Sequence, residues 1–135
     1  MAFKNWEIKM NYKSPLKGNL IAIYKYVRGD GKSGVAYITF GEDMRNIINK
    51  MGLTHCMIGQ DDITGEIGML LSKDVGVPLT KYGTSIRLAN KPWIDRMITV
   101  FGLDKDKTIN QILIPSNNLA KRDDVLFYRL RMPPY

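Results

Sequence analysis

Val35–Leu53 reads VAYITFGEDMRNIINKMGL, and fifty residues later Ser85–Leu103 reads SIRLANKPWIDRMITVFGL. With Gly52 set on Gly102, the apolar positions fall into register. Ala36 meets Ile86, Ile38 meets Leu88, Met44 meets Ile94, Ile47 meets Met97, Ile48 meets Ile98, Met51 meets Phe101 and Leu53 meets Leu103. Each stretch begins with the alternation of a strand. Each then changes to apolar residues at i, i+3, i+4 and i+7, which is one buried stripe of a helix. The first helix is expected from Glu42 to Met51, with Glu42 and Asp43 in its first turn, where the helix dipole favours negative charge. The second is expected after Asn90 as N-cap, with Pro92 in the first turn. Gly52 and Gly102 are expected at positive φ, each followed by a leucine that packs back on the helix in a Schellman ending.

Working outward, Asn19–Arg28 (NLIAIYKYVR) reads as a long strand, and GDGKSG at 29–34 holds too many glycines for a regular element. Residues 19–40 are therefore expected to form a β-hairpin. Cys56–Ile58 and Ile67–Ser72 read as a second hairpin around GQDDITG. Val75–Leu79 and Thr84–Leu88 read as short strands, with Pro78 confining the first to an edge. Ile109–Ile114 and Val125–Arg131 complete the set, joined by the polar loop PSNNLAKRDD. At the other end, Phe3–Met10 alternates Trp6, Ile8 and Met10 with Glu7 and Lys9. The fold class expected is α+β. It is a single domain over 1–135, with a mostly antiparallel sheet or half-barrel of about seven strands and two short pseudo-symmetric helices.

The 135 residues are enough to bury a core without staples, and 44% hydrophobic with 24% charged residues excludes a disordered chain. No apolar run approaches the ~20 residues of a membrane helix, and the N-terminus lacks the apolar region of a secretory signal. The single cysteine, Cys56, sits among apolar neighbours and reads as a buried thiol in a reducing, cytoplasmic setting. The net charge is +7, unevenly spread: +5 over residues 1–40, −3 over 41–80 and +5 over 81–135. A basic excess of this kind favours polyanionic partners.

The motifs that would carry chemistry are incomplete. GDGKS at 29–33 resembles the end of a phosphate-binding loop, but Tyr26 stands where its first glycine belongs and a strand follows where a helix is needed. Asp61, Asp62 and Glu66 do not have the alternation of a calcium loop and read as turn residues. His55 is the only histidine, no nucleophile elbow occurs, and one His with one Cys cannot fill a tetrahedral metal site. No cofactor, no metal and no catalytic residue are expected, and the chain does not read as an enzyme.

Two strand segments interleave cations with aromatics. In one, Tyr24, Tyr26 and Arg28 share a face, with Lys25 between them. In the other, Phe127, Arg129 and Arg131 share a face. Facing outward, they would form a stacking and phosphate-binding platform for single-stranded nucleic acid. Lys32, at the tip of the glycine-rich turn, would touch the phosphate backbone.

The stretch Ile86–Ile114, IRLANKPWIDRMITVFGLDKDKTINQILI, resembles the swapped-hairpin DNA-binding domains of the AbrB/MazE type over about a fifth of the chain. The resemblance implies a barrel made by two copies, here within one chain, with a basic DNA-binding face. The Gly-Asp of that family after the helix is replaced by Asp104-Lys105-Asp106-Lys107. The reading reached is a non-catalytic nucleic-acid-binding accessory or regulatory protein. The alternative is a protein–protein interaction module, an inhibitor or assembly component whose basic surface meets an acidic partner. Eight methionines add adaptable apolar surface that suits a homo-oligomer interface as well as a core.

Overall fold

A computed structural model describes residues 20–30, 33–116 and 124–133. The expected strand Phe3–Met10, Lys32 and the middle of the loop 115–124 lie outside these. In chain order the described elements are β1 (Ile21–Val27), β2 (Ser33–Phe40), α1 (Glu42–Met51), β3 (His55–Gln60), β4 (Ile67–Ser72) and β5 (Val77–Pro78). β6 (Thr80–Tyr82), β7 (Ser85–Leu88), α2 (Lys91–Val100), β8 (Ile109–Ser116) and β9 (Leu126–Arg131) follow. The strands form one sheet in the order β5-β3-β4-β9-β8-β1-β2-β7-β6, with every pairing antiparallel. Its two end strands, β5 and β6, are separated in sequence by Leu79 alone. The ends of the sheet therefore meet, and the sheet curls into a nearly closed barrel.

The described residues hold nine strands, not about seven, and the sheet is more than a half-barrel. The difference lies at Val77–Tyr82. Cys56 pairs with Val77 and His55 with Pro78, whereas Thr80 pairs with Arg87 and Lys81 with Ile86. The segment changes partner as it passes Leu79, whose N–H donates to the Thr54 carbonyl at 2.8 Å. Pro78 has no N–H for a ladder and so suits the switch.

Both helices form where the sequence places them. α1 ends with Gly52 at φ 68°, and α2 is followed by Gly102 at φ 71°. Leu53 N–H donates to the Ile48 carbonyl at 3.0 Å and Leu103 N–H to the Ile98 carbonyl at 2.9 Å, the long bond of a Schellman ending. Asn90 caps α2 by accepting from the Trp93 N–H at 3.2 Å. α1 starts at Gly41 without a side-chain cap and relies on Glu42 and Asp43 in its first turn.

The helices contribute Met44, Ile48, Ile94, Met97 and Ile98 to a single core. It is completed by inward residues of the strands, among them Ile21, Ile23, Ile38, Phe40, Met69, Leu71, Leu88, Leu113 and Leu130. This alternation fixes which side chains face out: Tyr24 and Tyr26 on β1, Tyr37 on β2, Arg87 on β7, and Phe127, Arg129 and Arg131 on β9. No helix among the described residues is long and apolar enough to cross a membrane.

Candidate nucleic-acid interface

The two expected basic-aromatic faces both look outward, but they do not make one platform. β8 lies between β1 and β9 in the sheet, so the two sets occupy different walls of the barrel. On the first wall, Tyr24 is opposite Tyr37 across the β1–β2 pair, and their rings stack tilted by 37° with centroids 5.2 Å apart. Arg87 of β7 reaches over the Tyr37 ring at 4.3 Å and over the Tyr82 ring at 4.8 Å. A continuous strip Tyr24–Tyr37–Arg87–Tyr82 thus runs across β1, β2, β7 and β6. Tyr26 and Tyr82, at the ends of the two hairpins, are 47% and 59% exposed. Tyr26 leans across Gly34, where an added Cβ would stand 2.8 Å from the tyrosine ring.

The cations differ sharply in what they face. Lys25 is corrected from a surface contact to an interior one. It is 4% exposed, and its ammonium lies 3.4 Å from an Asp95 carboxylate oxygen on α2. Arg28 is exposed and pairs with Asp30 at 3.4 Å. Arg129 and Arg131 stand 3.7 and 3.8 Å from the two oxygens of Glu66, so much of their charge is offset locally. Among the described residues, Arg87 has neither a carboxylate nor a hydrogen-bond partner. Its Nε–H is buried without one, and its contacts are the two tyrosine rings. Two rings hold the guanidinium in place by cation–π attraction, and no acceptor among the described residues neutralises it. Sequence reading passed over Arg87, Tyr37 and Tyr82. The signal for Arg87 is its place between buried Ile86 and Leu88, which turns it outward, but its tyrosine neighbours come from pairing with β2 and β6.

Lys25 and Asp95 make a stability test. The ammonium is buried while the carboxylate is 44% exposed. Removing the carboxylate leaves a desolvated charge, whereas an apolar replacement of the lysine removes that charge. Asp95→Ala is expected to cost about 2 kcal/mol, less than for a fully buried pair because water reaches the aspartate, and Lys25→Met less than about 1 kcal/mol. Urea titration of both variants reads the asymmetry, and equal losses would contradict it.

The remaining candidates for chemistry make local contacts. His55 opens β3, half-buried, with its Nδ1 2.8 Å from the Thr54 hydroxyl. The Asp61 carboxylate accepts from the Ile63 and Thr64 N–H groups at 2.8 and 3.0 Å, an Asx turn. Those backbone bonds, Thr64 first, hold its carboxyl below the usual range. Among the described residues, no group of three or more His, Cys, Asp or Glu side chains could hold a metal ion.

Cys56 is fully buried, and desolvation pushes its thiol up to about 12. At neutral pH it is protonated, so native labelling by a thiol reagent is expected to be slow and labelling after unfolding fast. The unfolded thiol ionises near its ordinary pKa, while the folded one keeps its proton to about 12. Its contribution to stability is therefore whole below the ordinary value and falls as pH rises through that window, by up to about 1.4 kcal/mol per pH unit. Burial also raises Tyr128, which adds a loss of the same sign at higher pH. Cys56→Ala should flatten the onset of this alkaline loss in denaturant titrations. An unchanged slope would show that the thiol is not its source.

No protein-family model, curated protein or solved structure matches the chain.

Proposed function

We propose that this chain binds single-stranded nucleic acid without catalysis, as an accessory or regulatory protein, through the tyrosine–arginine wall of β1, β2, β7 and β6. The observation that carries the reading is Arg87, held 4.3 Å from Tyr37 and 4.8 Å from Tyr82 with no carboxylate among the described residues to neutralise it. A guanidinium held between the half-buried Tyr37 ring and the exposed Tyr82 ring suits a phosphate between two stacked bases. Base stacking on such rings is worth ~1–3 kcal/mol per base. The net charge of +7 supports the same class of partner. The Arg129–Arg131 wall is the weaker candidate, because the single Glu66 carboxylate stands beside both cations and offsets one of their two charges.

The same reading treats the chain as two copies of a strand–strand–helix–strand–strand unit that meet at this wall. Ile38 pairs with Leu88, its own equivalent under the fifty-residue offset. That offset puts Tyr37 on Arg87. Carrying the register through the shorter second hairpin, where Ile86 faces Lys81 as Ala36 faces Lys25, puts Tyr26 on Tyr82. The exposed tyrosines are then matched positions on either side of the seam.

Fluorescence anisotropy with labelled single- and double-stranded DNA and RNA, at two salt concentrations, tests the proposal. Single strands should bind more tightly than duplexes, and affinity should fall with salt. No binding to any of the four at about 0.15 M salt would overturn it and favour the protein-partner alternative.

A further inference from the structure

A groove of about 360 Å³ lies on the opposite set of strands, on the outer face of β3, β4 and β9. Its floor is Gly59, paired directly with Gly68. Gly59, facing another glycine, leaves a dent of bare backbone on this face of the sheet. One rim is apolar: Met57 opposes Leu70, and Leu70 opposes Phe127. The Phe127 ring fills the space a Cβ on Gly68 would take, at 2.6 Å, whereas a Cβ on Gly59 would meet nothing within 4 Å. The open part of the floor is therefore over Gly59. The other rim is charged, with Glu66 3.7 Å from Arg129 and 3.8 Å from Arg131. These separations are too long for direct hydrogen bonds, so the carboxylate's acceptors and the guanidinium donors stand side by side without saturating one another.

We propose that this groove binds one planar nitrogen heterocycle of the nucleobase class. The flat ring lies over Gly59 beside Phe127, and its polar edge meets Glu66 and Arg129. The two rims select this chemistry together. An alkyl chain would cover the charged rim and satisfy neither group, which is costly. A simple anion meets Glu66, and a simple cation meets two arginines. An aromatic edge that carries donors and acceptors in one plane satisfies both, and a pocket of this size suits one such ring. The site is separate from the tyrosine wall and does not depend on it.

The test is an NMR titration of the ¹⁵N-labelled full chain with adenosine, guanosine, cytidine and uridine, and with indole as a ring of similar size without the complementary edge. Saturable shifts at the Gly59 and Gly68 amides are expected, with at least one nucleoside binding about tenfold tighter than indole, the worth of one net hydrogen-bonded pair. Gly59→Val fills the dent where there is open space and should abolish these shifts in a folded protein. Glu66→Gln should reorder the nucleosides and leave indole unchanged. The proposal is overturned if no nucleoside gives saturable shifts, if indole binds as tightly as all four, or if Gly59→Val binds unimpaired. Oligonucleotide binding lost on substitution of the tyrosine wall would leave this titration unchanged, so the two readings fail separately.

Discussion

Gly76→Ala should be the most damaging single-methyl substitution in this barrel. Gly76 has φ 101°, and a Cβ built there would stand 2.1 Å from the Cys56 carbonyl oxygen and 2.9 Å from the Met57 nitrogen. Both atoms are backbone of β3, so no side-chain rotation relieves the clash. Either the turn must leave its conformation or β5 must separate from β3. The cost expected is about 3 kcal/mol or more, a fall in Tm on the order of 10 °C for a domain of this length. Gly52→Ala and Gly102→Ala provide the comparison. They have φ 68° and 71° with nothing within 4 Å of an added Cβ, so they carry only the strain of positive φ, about 1 kcal/mol each. Because β5 pairs with Cys56, Gly76→Ala should also speed labelling of that thiol in the folded protein. Equal melting temperatures for the three variants would show that the seam tolerates separation.

The parts of this fold that were legible in the sequence are those fixed by neighbours in the chain. α1 and α2, the Asn90 cap, the Gly-Leu endings and the hairpin around GQDDITG depend on local periodicity and turn chemistry. Closure of the barrel depends on which distant strands pair. Val75–Leu79 reads as one strand because Pro78 marks an edge but does not show that the partner changes at Leu79, where β5 leaves β3 and β6 joins β7. The site divides in the same way. Alternation put Tyr24 and Tyr26 on one face and Phe127, Arg129 and Arg131 on another, but Lys25, expected at the surface, lies inside. Alternation could not pair Lys25 with Asp95, seventy residues away. Nor could it separate the two aromatic faces with β8, or bring Arg87 between Tyr37 and Tyr82.

Arg87→Ala is expected to lower affinity for single-stranded oligonucleotides by about 2 kcal/mol, some thirtyfold, and to reduce the salt slope by about 0.7, the value for one phosphate on a single strand. Tyr82→Ala should cost ~1–3 kcal/mol with no change in slope, because stacking releases no condensed counterions. Arg87→Lys separates the two roles of the guanidinium. The charge remains, so the slope should hold, but the planar contact with both rings is lost and affinity should fall. Arg129→Ala and Arg131→Ala should have smaller effects, since each loses a cation already partly offset by Glu66 at 3.7 or 3.8 Å. Melting curves of every variant keep binding losses apart from unfolding, which matters for Arg87 because its stem also packs on the wall. If Arg129→Ala weakens binding more than Arg87→Ala in folded proteins, the working surface is the β9 wall. The order of these two losses decides between the walls, because the arginines share a residue type and an outward strand position. They differ chiefly in their neighbours: two rings around Arg87, one carboxylate beside Arg129.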